Sequence, residues 1–142
     1  MAAITITPIA AQAQPLPAIG YLTLPTPDGD SRMQAAFMRG LAEAGFEENR
    51  NIAIAFASAY GRVERLGALA AELVNRRVAV IFAASSNAAL AAKAATTTIP
   101  IVYTGASDPV RLGLVQSLGR PGGNLTGLTM YSHTFSAKRL EL

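Results

Sequence analysis

Residues 78–95 read Val-Ala-Val-Ile-Phe-Ala-Ala-Ser-Ser-Asn-Ala-Ala-Leu-Ala-Ala-Lys-Ala-Ala, and this stretch decides the fold class. Its first part, residues 78–83, is a short apolar run rich in β-branched side chains, which predicts a strand covered on both faces. From Ala88 onward the alanine-rich sequence predicts a helix, because alanine has the highest helix propensity. A buried strand that leads directly into a helix is the repeating unit of an α/β sheet.

Three small polar residues, Ser85, Ser86 and Asn87, lie at the junction between this strand and this helix. The first N–H groups of a helix lack intrahelical partners, and the helix dipole favours negative charge there. Ser86 or Asn87 also fits the role of a helix cap. We expect this junction to contact any small molecule that the protein binds.

Apolar periodicity on both sides of this stretch predicts further strands and helices. A side-chain oxygen of Asp30 or Ser31 is the expected cap of the first helix, and Gly45 suits the left-handed position that ends it. Asp108 followed by Pro109 matches an N-cap with proline at the first helical position, which predicts a fourth helix as far as Leu118. The predicted strands are residues 18–24, 51–57, 78–83, 99–103 and 125–130, and the second helix spans residues 63–76.

Strands that alternate with helices in this way predict a doubly wound α/β domain with a parallel five-stranded sheet of order 2-1-3-4-5. Ligands of such sheets bind beyond the carboxyl ends of the strands, where four polar loops are expected at residues 25–30, 58–61, 84–87 and 104–108. The alternative to ligand binding is a helix cap for Asp108 and surface packing for Tyr60. The candidate ligand-binding residues are Asp28, Tyr60, Ser85, Ser86, Asn87, Gly105, Ser107 and Asp108.

Composition and missing motifs argue against several other functions. The 142 residues are 51% hydrophobic and 15% charged, which is typical of one globular domain, and the basic residues form no stripe that would bind nucleic acid. There is no cysteine, and His133 is the single histidine and lies outside the four loops. Gly-x-Ser-x-Gly, dinucleotide-binding and P-loop motifs are missing, and the third strand ends without the aspartate of a phospho-receiver. We therefore predict no enzyme activity, no cofactor and no metal.

The amino-terminal residues predict export. Residues 1–11 are apolar and uncharged, and Ala11-Gln12-Ala13 matches the small-x-small cleavage pattern of a signal peptide. A disordered extension is the alternative. We expect residues 1–16 to be one of these two, residues 17–131 to form the α/β lobe, and residues 132–142 to begin another helix with Ser132 as its cap.

Several segments resemble the ABC-transporter substrate-binding proteins of the tryptophan/tyrosine-uptake-like type. The most specific is Arg-Pro-Gly-Gly-Asn-Leu-Thr-Gly at residues 120–127, and the resemblance runs from about Ala18 to the last residue. The other matching segments are residues 37–46, 68–74, 88–102, 107–110, 113–115 and 137–142.

This resemblance implies a periplasmic-binding-protein type I fold, with a small-molecule ligand held between two α/β lobes. It implies that residues 25–30, 85–87 and 105–108 face the ligand, which is an aromatic amino acid in some relatives, and that an ABC permease in the membrane is a partner. Residues 132–142 would begin the hinge-crossing helix, and the second lobe would be absent, so that the isolated lobe is expected to self-associate. A ligand-sensing domain of a regulator or receptor is the alternative function.

Overall fold

The computed structural model describes residues 14–130, which form one five-stranded sheet with helices on both faces. The strands are β1 Ala18–Thr23, β2 Ala53–Ser58, β3 Val80–Ala83, β4 Ile101–Gly105 and β5 Leu125–Thr129. The helices are α1 Ser31–Glu43, α2 Leu66–Asn75 and α3 Ser86–Ala95, and a 3₁₀ turn at Val63–Arg65 precedes α2.

All the strands are parallel, and their order is β2-β1-β3-β4-β5. The predicted fold class and strand order are therefore confirmed. Because a parallel sheet places every strand's carboxyl end at the same edge, the loops that follow β1, β2, β3 and β4 emerge side by side.

The main hydrophobic core lies between the sheet and the helices α2 and α3. Leu22, Ile81 and Ile101 project from three neighbouring strands and are fully buried in this core. Helix α2 fills the core with two leucines, whereas α3 buries only alanines, whose small side chains let its backbone approach the sheet closely. The buried residues of the two helices are Leu66, Ala70, Leu73, Ala88, Ala89 and Ala92.

The opposite face of the sheet carries α1 and an aromatic cluster. The ring of Tyr21 lies 5.1 Å from that of Phe37 on α1 and 5.2 Å from those of Phe56 and Phe82 on the flanking strands. Edge-on and tilted contacts of this kind add to the stabilisation from buried area. Towards β5 no helix within residues 14–130 covers this face, and the side chain of Leu128 is 77% exposed.

Two of the predicted helix caps are wrong. Asp30 occupies the position before α1, but its carboxylate makes no cap and instead accepts a hydrogen bond from the Tyr21 hydroxyl at 2.8 Å, while Ser31 is already helical. Helix α3 begins at Ser86, two residues earlier than predicted, because the Oγ of Ser85 accepts a hydrogen bond from the Ala88 N–H at 3.1 Å. Ser85 is therefore the cap, and neither Ser86 nor Asn87 is.

The fourth predicted helix is absent from the segment between Asp108 and Leu118, which forms turns. Asp108 starts one turn, with its Oδ1 accepting from the N–H groups of Val110 and Arg111 at 2.9 and 3.3 Å. Gly113 then adopts a φ of 68°, which lies in the left-handed region and ends the turn. Leu114 and Val115 of this segment pack into the main hydrophobic core without forming a helix.

Other boundaries differ from the predictions by one to three residues. The largest shift is at α2, predicted to start at Val63 where the 3₁₀ turn lies, and β4, predicted as residues 99–103, is displaced by two residues at both ends. Gly45 has a φ of 86°, which confirms the predicted left-handed position after α1. The predicted signal-peptide remnant, with Ala11-Gln12-Ala13, and the predicted helix from Ser132 lie outside the described residues. Within residues 14–130 no helix combines the length and apolar character needed to cross a membrane.

Candidate functional site

The candidate site is the carboxyl edge of the sheet, which we define as residues 25–30, 58–61, 84–87 and 104–108. The strand order places the loop after β3 between the loop after β1 and the loop after β4. The junction at Ser85, Ser86 and Asn87 therefore occupies the centre of this edge. The loop after β2 lies at one end.

The amino end of α3 offers backbone donors at this centre. Ser85 has extended backbone angles, with φ −166° and ψ 163°, and its side chain satisfies the Ala88 N–H. Ser86 and Asn87 are the first two helical residues, so their N–H groups have no intrahelical acceptor. Ser86 is half-buried and Asn87 is exposed, which suits this helix end to bind a carboxylate.

Gly105 brings the end of β4 against this helix end. A Cβ placed on Gly105 would lie 2.5 Å from Ser86 Oγ and 3.3 Å from Ser86 N, which no side chain could tolerate without movement. Glycine therefore lets the end of β4 pack against the start of α3 without moving the Ser86 side chain. The structure thus brings the predicted residues Gly105 and Ser86 together.

The loops after β1 and β2 are joined to each other by two hydrogen bonds. Ser58 Oγ donates to the carbonyl oxygen of Pro25 at 2.7 Å, and the Gly61 N–H donates to that of Leu24 at 2.6 Å. The first of these loops carries Asp28, whose side chain is exposed. Asp28 is therefore accessible to solvent or to a ligand, on a loop that these two hydrogen bonds hold in place.

Tyr60 lies at the far end of the carboxyl edge, after the edge strand β2. Its φ is 54°, in the left-handed region, and 56% of the residue is exposed. The guanidinium carbon of Arg65 lies 5.8 Å from the centre of its ring, within the range of a cation–π contact. Three strand spacings of about 4.8 Å separate β2 from β4, so the carboxyl ends of these two strands lie roughly 14 Å apart.

Ser107 and Asp108 follow β4, and both have structural partners. The Asp108 carboxylate binds the amides of its own turn, and the Ser107 carbonyl oxygen accepts from Thr129 Oγ1 at 3.3 Å. Burial, reinforced by the nearby charge of Asp108, raises the pKa of Tyr103 above its ordinary value. Asp108 therefore caps a turn, and the predicted helix that it was expected to cap is not formed.

Comparison with known proteins gives the family. The model of a family described as "ABC transporter substrate binding protein" matches residues 26–142. The chain belongs to this family. Its members are substrate-binding proteins and not enzymes, in agreement with the prediction from the missing catalytic motifs.

Individual relatives of this substrate-binding family agree with that assignment. The chain is 36% identical over 100 residues to the "Tyrosine-binding protein" of Clostridioides difficile, a match that covers 70% of this chain and 29% of the relative. The ligand-free, open structure of a substrate binding protein with adhesive properties from Clostridium difficile superposes with a TM-score of 0.74 and 34% identity, covering 79% of this chain and 38% of that one. An ABC domain from Streptococcus pneumonia in complex with L-Trp has a TM-score of 0.74 and 25% identity, covering 81% and 39%.

The chain spans less than half the length of these substrate-binding relatives, whose matched shares are 29%, 38% and 39%. The activity, ligand and partners of a whole protein of this family are therefore proposals for this chain. Within residues 14–130 no group of histidine, cysteine, aspartate and glutamate side chains could hold a metal ion.

The family-specific segment at residues 120–127 lies away from the carboxyl edge and joins α3 to the sheet. Asn124 Nδ2 donates to the carbonyl oxygens of Thr96 and Ile99 at 3.2 and 2.7 Å, and Lys93 Nζ donates to those of Gly113 and Leu114. A groove of about 450 Å³ lies between these elements. The segment therefore has a structural role in this lobe.

Sequence reasoning missed three polar residues at or near the carboxyl edge. Ser58 ties two loops together, Thr129 binds the loop after β4, and Thr23 has a buried hydroxyl without a hydrogen-bond partner among the described residues. All three are the last residue of an apolar strand, and this position is the sequence signal that indicates them. The partner of Ser58 is 33 residues away in the sequence and that of Thr129 is 22 residues away, so no local sequence pattern indicates either contact.

Proposed function

We propose that this chain forms the first lobe of the substrate-binding component of an ABC importer, and that the ligand is an amino acid with an aromatic or branched side chain. Two similar proteins, a tyrosine-binding protein and an ABC domain in complex with L-Trp, support this ligand class. The lobe would supply one wall of a cleft at the carboxyl edge, and an ABC permease would receive the ligand. We place the protein in the periplasm, consistent with the signal-peptide pattern at Ala11-Gln12-Ala13.

The observation that carries the proposal is the free amino end of α3 at the centre of the carboxyl edge. The ligand carboxylate would accept hydrogen bonds from the N–H groups of Ser86 and Asn87, where the helix dipole adds to the attraction. Asp28 on the neighbouring loop is a candidate partner for the ligand ammonium group. Tyr60 is a candidate for stacking against an aromatic side chain at the outer end of the cleft.

The remaining predicted residues have supporting roles in this proposal. Gly105 permits the approach of β4 to Ser86, and the Ser85 hydroxyl caps the helix that presents the donors. Ser107 and Asp108 shape the loop after β4. Closure of a second lobe over these groups would exclude water and strengthen every polar contact.

The test uses a pair of variants at one position. Ser86→Pro removes the amide donor at a position that suits proline, because proline is favoured at the first helical position and Ser85 is already extended, and circular dichroism checks that α3 is kept beside Gly105. Ser86→Ala removes the hydroxyl and keeps the amide. We expect Ser86→Pro to weaken L-tyrosine or L-tryptophan binding at least about tenfold in isothermal calorimetry, since it deletes one charge-assisted hydrogen bond.

The control variant Ser86→Ala is expected to retain the wild-type affinity within about threefold, because a neutral side-chain hydrogen bond contributes less than a charge-assisted one. Equal affinity of the two variants would contradict the placement of the carboxylate. A protein that carries this lobe and binds no amino acid would contradict the proposed ligand class.

A further inference from the structure

A buried hydrogen bond joins the two ends of the segment between β1 and α1. The Tyr21 hydroxyl donates to Asp30 Oδ2 at 2.8 Å, and the two residues are nine positions apart in the sequence. Tyr21 is 0% exposed and Asp30 is 6% exposed, so water has little access to this bond. Burial, then the hydrogen bond and the charge of Asp30, raise the pKa of Tyr21, which keeps its hydroxyl protonated as a donor.

The position of the Tyr21 hydroxyl is fixed by the rings around it. Phe37 of α1 contacts the tyrosine ring from above the sheet, and Phe56 and Phe82 flank it on the neighbouring strands, with ring centres 5.1 to 5.2 Å away. Tyr21 is fully buried among these rings, which leaves its side chain few alternative rotamers. The donor is therefore preorganised, and its partner Asp30 lies at the end of the loop after β1.

Asp30 connects that loop to the helix through its backbone. Its N–H donates to the Thr26 carbonyl oxygen at 3.0 Å, and its own carbonyl oxygen accepts from the Gln34 N–H at 2.9 Å. The carboxylate does not cap α1, although a capping side chain would stabilise the helix. Its one hydrogen bond is directed down to the strand, where it anchors the end of residues 25–30.

We propose that the Tyr21–Asp30 hydrogen bond is a positioning device that holds the loop at residues 25–30 in the conformation that presents Asp28 at the carboxyl edge. This inference rests on the proposed function, because it assigns Tyr21 and Asp30 to the ligand-binding loop without contact to the ligand. The rest of the loop is held from the other side by the bond from Ser58 to Pro25. The deep anchor at Asp30 determines where the second half of the loop lies.

The first experiment measures amide hydrogen exchange of the full chain without ligand. Tyr21→Phe removes the hydroxyl and keeps the ring, and Asp30→Ala removes the acceptor without altering β1. Both are expected to speed exchange at the Gly29 and Asp30 amides about tenfold, because a buried hydrogen bond to a charged group no longer opposes opening of the loop.

Two further variants separate a local role from a general loss of stability. Asp30→Asn keeps an oxygen that accepts from Tyr21 and is expected to retain protection of the loop within about threefold of wild type. Tyr103→Phe deletes another tyrosine hydroxyl in the same sheet and is expected to leave loop exchange unchanged. Unchanged exchange in both Tyr21→Phe and Asp30→Ala overturns the inference, as does faster exchange spread equally over the whole sheet. Should Tyr21→Phe fail to fold, Asp30→Ala with its Asp30→Asn rescue decides the result.

The second experiment measures L-tyrosine and L-tryptophan affinity of the same variants. We expect Tyr21→Phe and Asp30→Ala to weaken binding about threefold to tenfold, since part of the binding energy must reorder the loop. Wild-type affinity in both variants would overturn the functional half of the inference. If the wild-type protein binds no amino acid, the proposed function fails, while the exchange experiment still decides whether the hydrogen bond positions the loop.

Discussion

Gly105 lies directly against Ser86, so that a Cβ on Gly105 would meet Ser86 Oγ at 2.5 Å. The two residues belong to neighbouring loops, one after β4 and one at the start of α3. Their contact holds the end of β4 next to the start of α3 at the centre of the carboxyl edge. A side chain at position 105 would displace the Ser86 hydroxyl from its place at the candidate site.

Replacing Gly105 with alanine is expected to lower the free energy of unfolding by about 1–3 kcal/mol, because the added methyl group forces Ser86 or the strand to move. Gly40→Ala is the matched control: its Cβ would meet nothing within 4 Å on the exposed side of α1. That change is expected to raise stability by about 0.5–1 kcal/mol. Urea unfolding of both variants measures the difference, and equal effects would contradict the close contact.

Replacing Asn124 with aspartate is expected to lower the free energy of unfolding by about 1–3 kcal/mol. The substitution keeps the shape of the side chain but removes the amide donor that serves the carbonyl oxygens of Thr96 and Ile99. Asn75→Asp at the exposed end of α2 is a control for the added charge. Equal unfolding midpoints for the two variants would show that the hydrogen bonds from Asn124 to Thr96 and Ile99 do not stabilise the fold.

Thr23→Val is expected to leave stability unchanged or to raise it by roughly 1 kcal/mol. The Thr23 hydroxyl is buried without a hydrogen-bond partner among the described residues, so an apolar group of the same shape avoids its desolvation cost. Thr23→Ser keeps the hydroxyl, deletes the methyl group and is expected to cost about 1 kcal/mol. A larger loss for Thr23→Val than for Thr23→Ser in thermal unfolding would indicate a hidden partner.

Stability is expected to fall as the pH rises past the ordinary tyrosine pKa of 10.0. The folded-state pKa of Tyr21 is raised, so its contribution is fully present below pH 10.0 and decreases above it, where the tyrosine of the unfolded chain ionises. Tyr103 acts in the same direction. Urea unfolding across this range, with tyrosinate absorbance as a second signal, measures the loss. Tyr21→Phe should flatten the alkaline decrease, and an unchanged slope would argue against burial of the hydroxyl.

The isolated chain is expected to self-associate through the open part of the sheet face at β5. Leu128 on this face is 77% exposed, and a large exposed apolar surface favours association. Leu128→Lys should shift the sedimentation profile towards monomer. Leu118→Lys, at a residue 70% exposed in the turn segment, should leave the profile unchanged. A sharply monomeric wild-type protein would contradict this expectation.

The elements predicted correctly are those whose signal is local. The apolar run before Ser85 is rich in β-branched residues and the alanines after Asn87 have high helix propensity, and the sheet order follows from parallel crossovers. The predicted helix after Pro109 failed because its cap was present but Gly113 interrupts the segment and tertiary packing of Leu114 and Val115 took precedence. The expected cap at Asp30 failed because its carboxylate bonds Tyr21 on β1, whereas the expected cap at Ser86 failed because the neighbouring Ser85 caps the helix.

The sequence by itself determined the fold class, the strand order, the family resemblance and the cluster of polar loops at one edge of the sheet. Only the tertiary structure decided which of those loops touch: Gly105 with Ser86, Ser58 with Pro25, and Asp30 with Tyr21. The physical reason is the sequence separation over which each kind of interaction acts. Periodicity and capping act between residues a few positions apart, whereas each of these contacts requires strands and helices to be packed before the two groups meet.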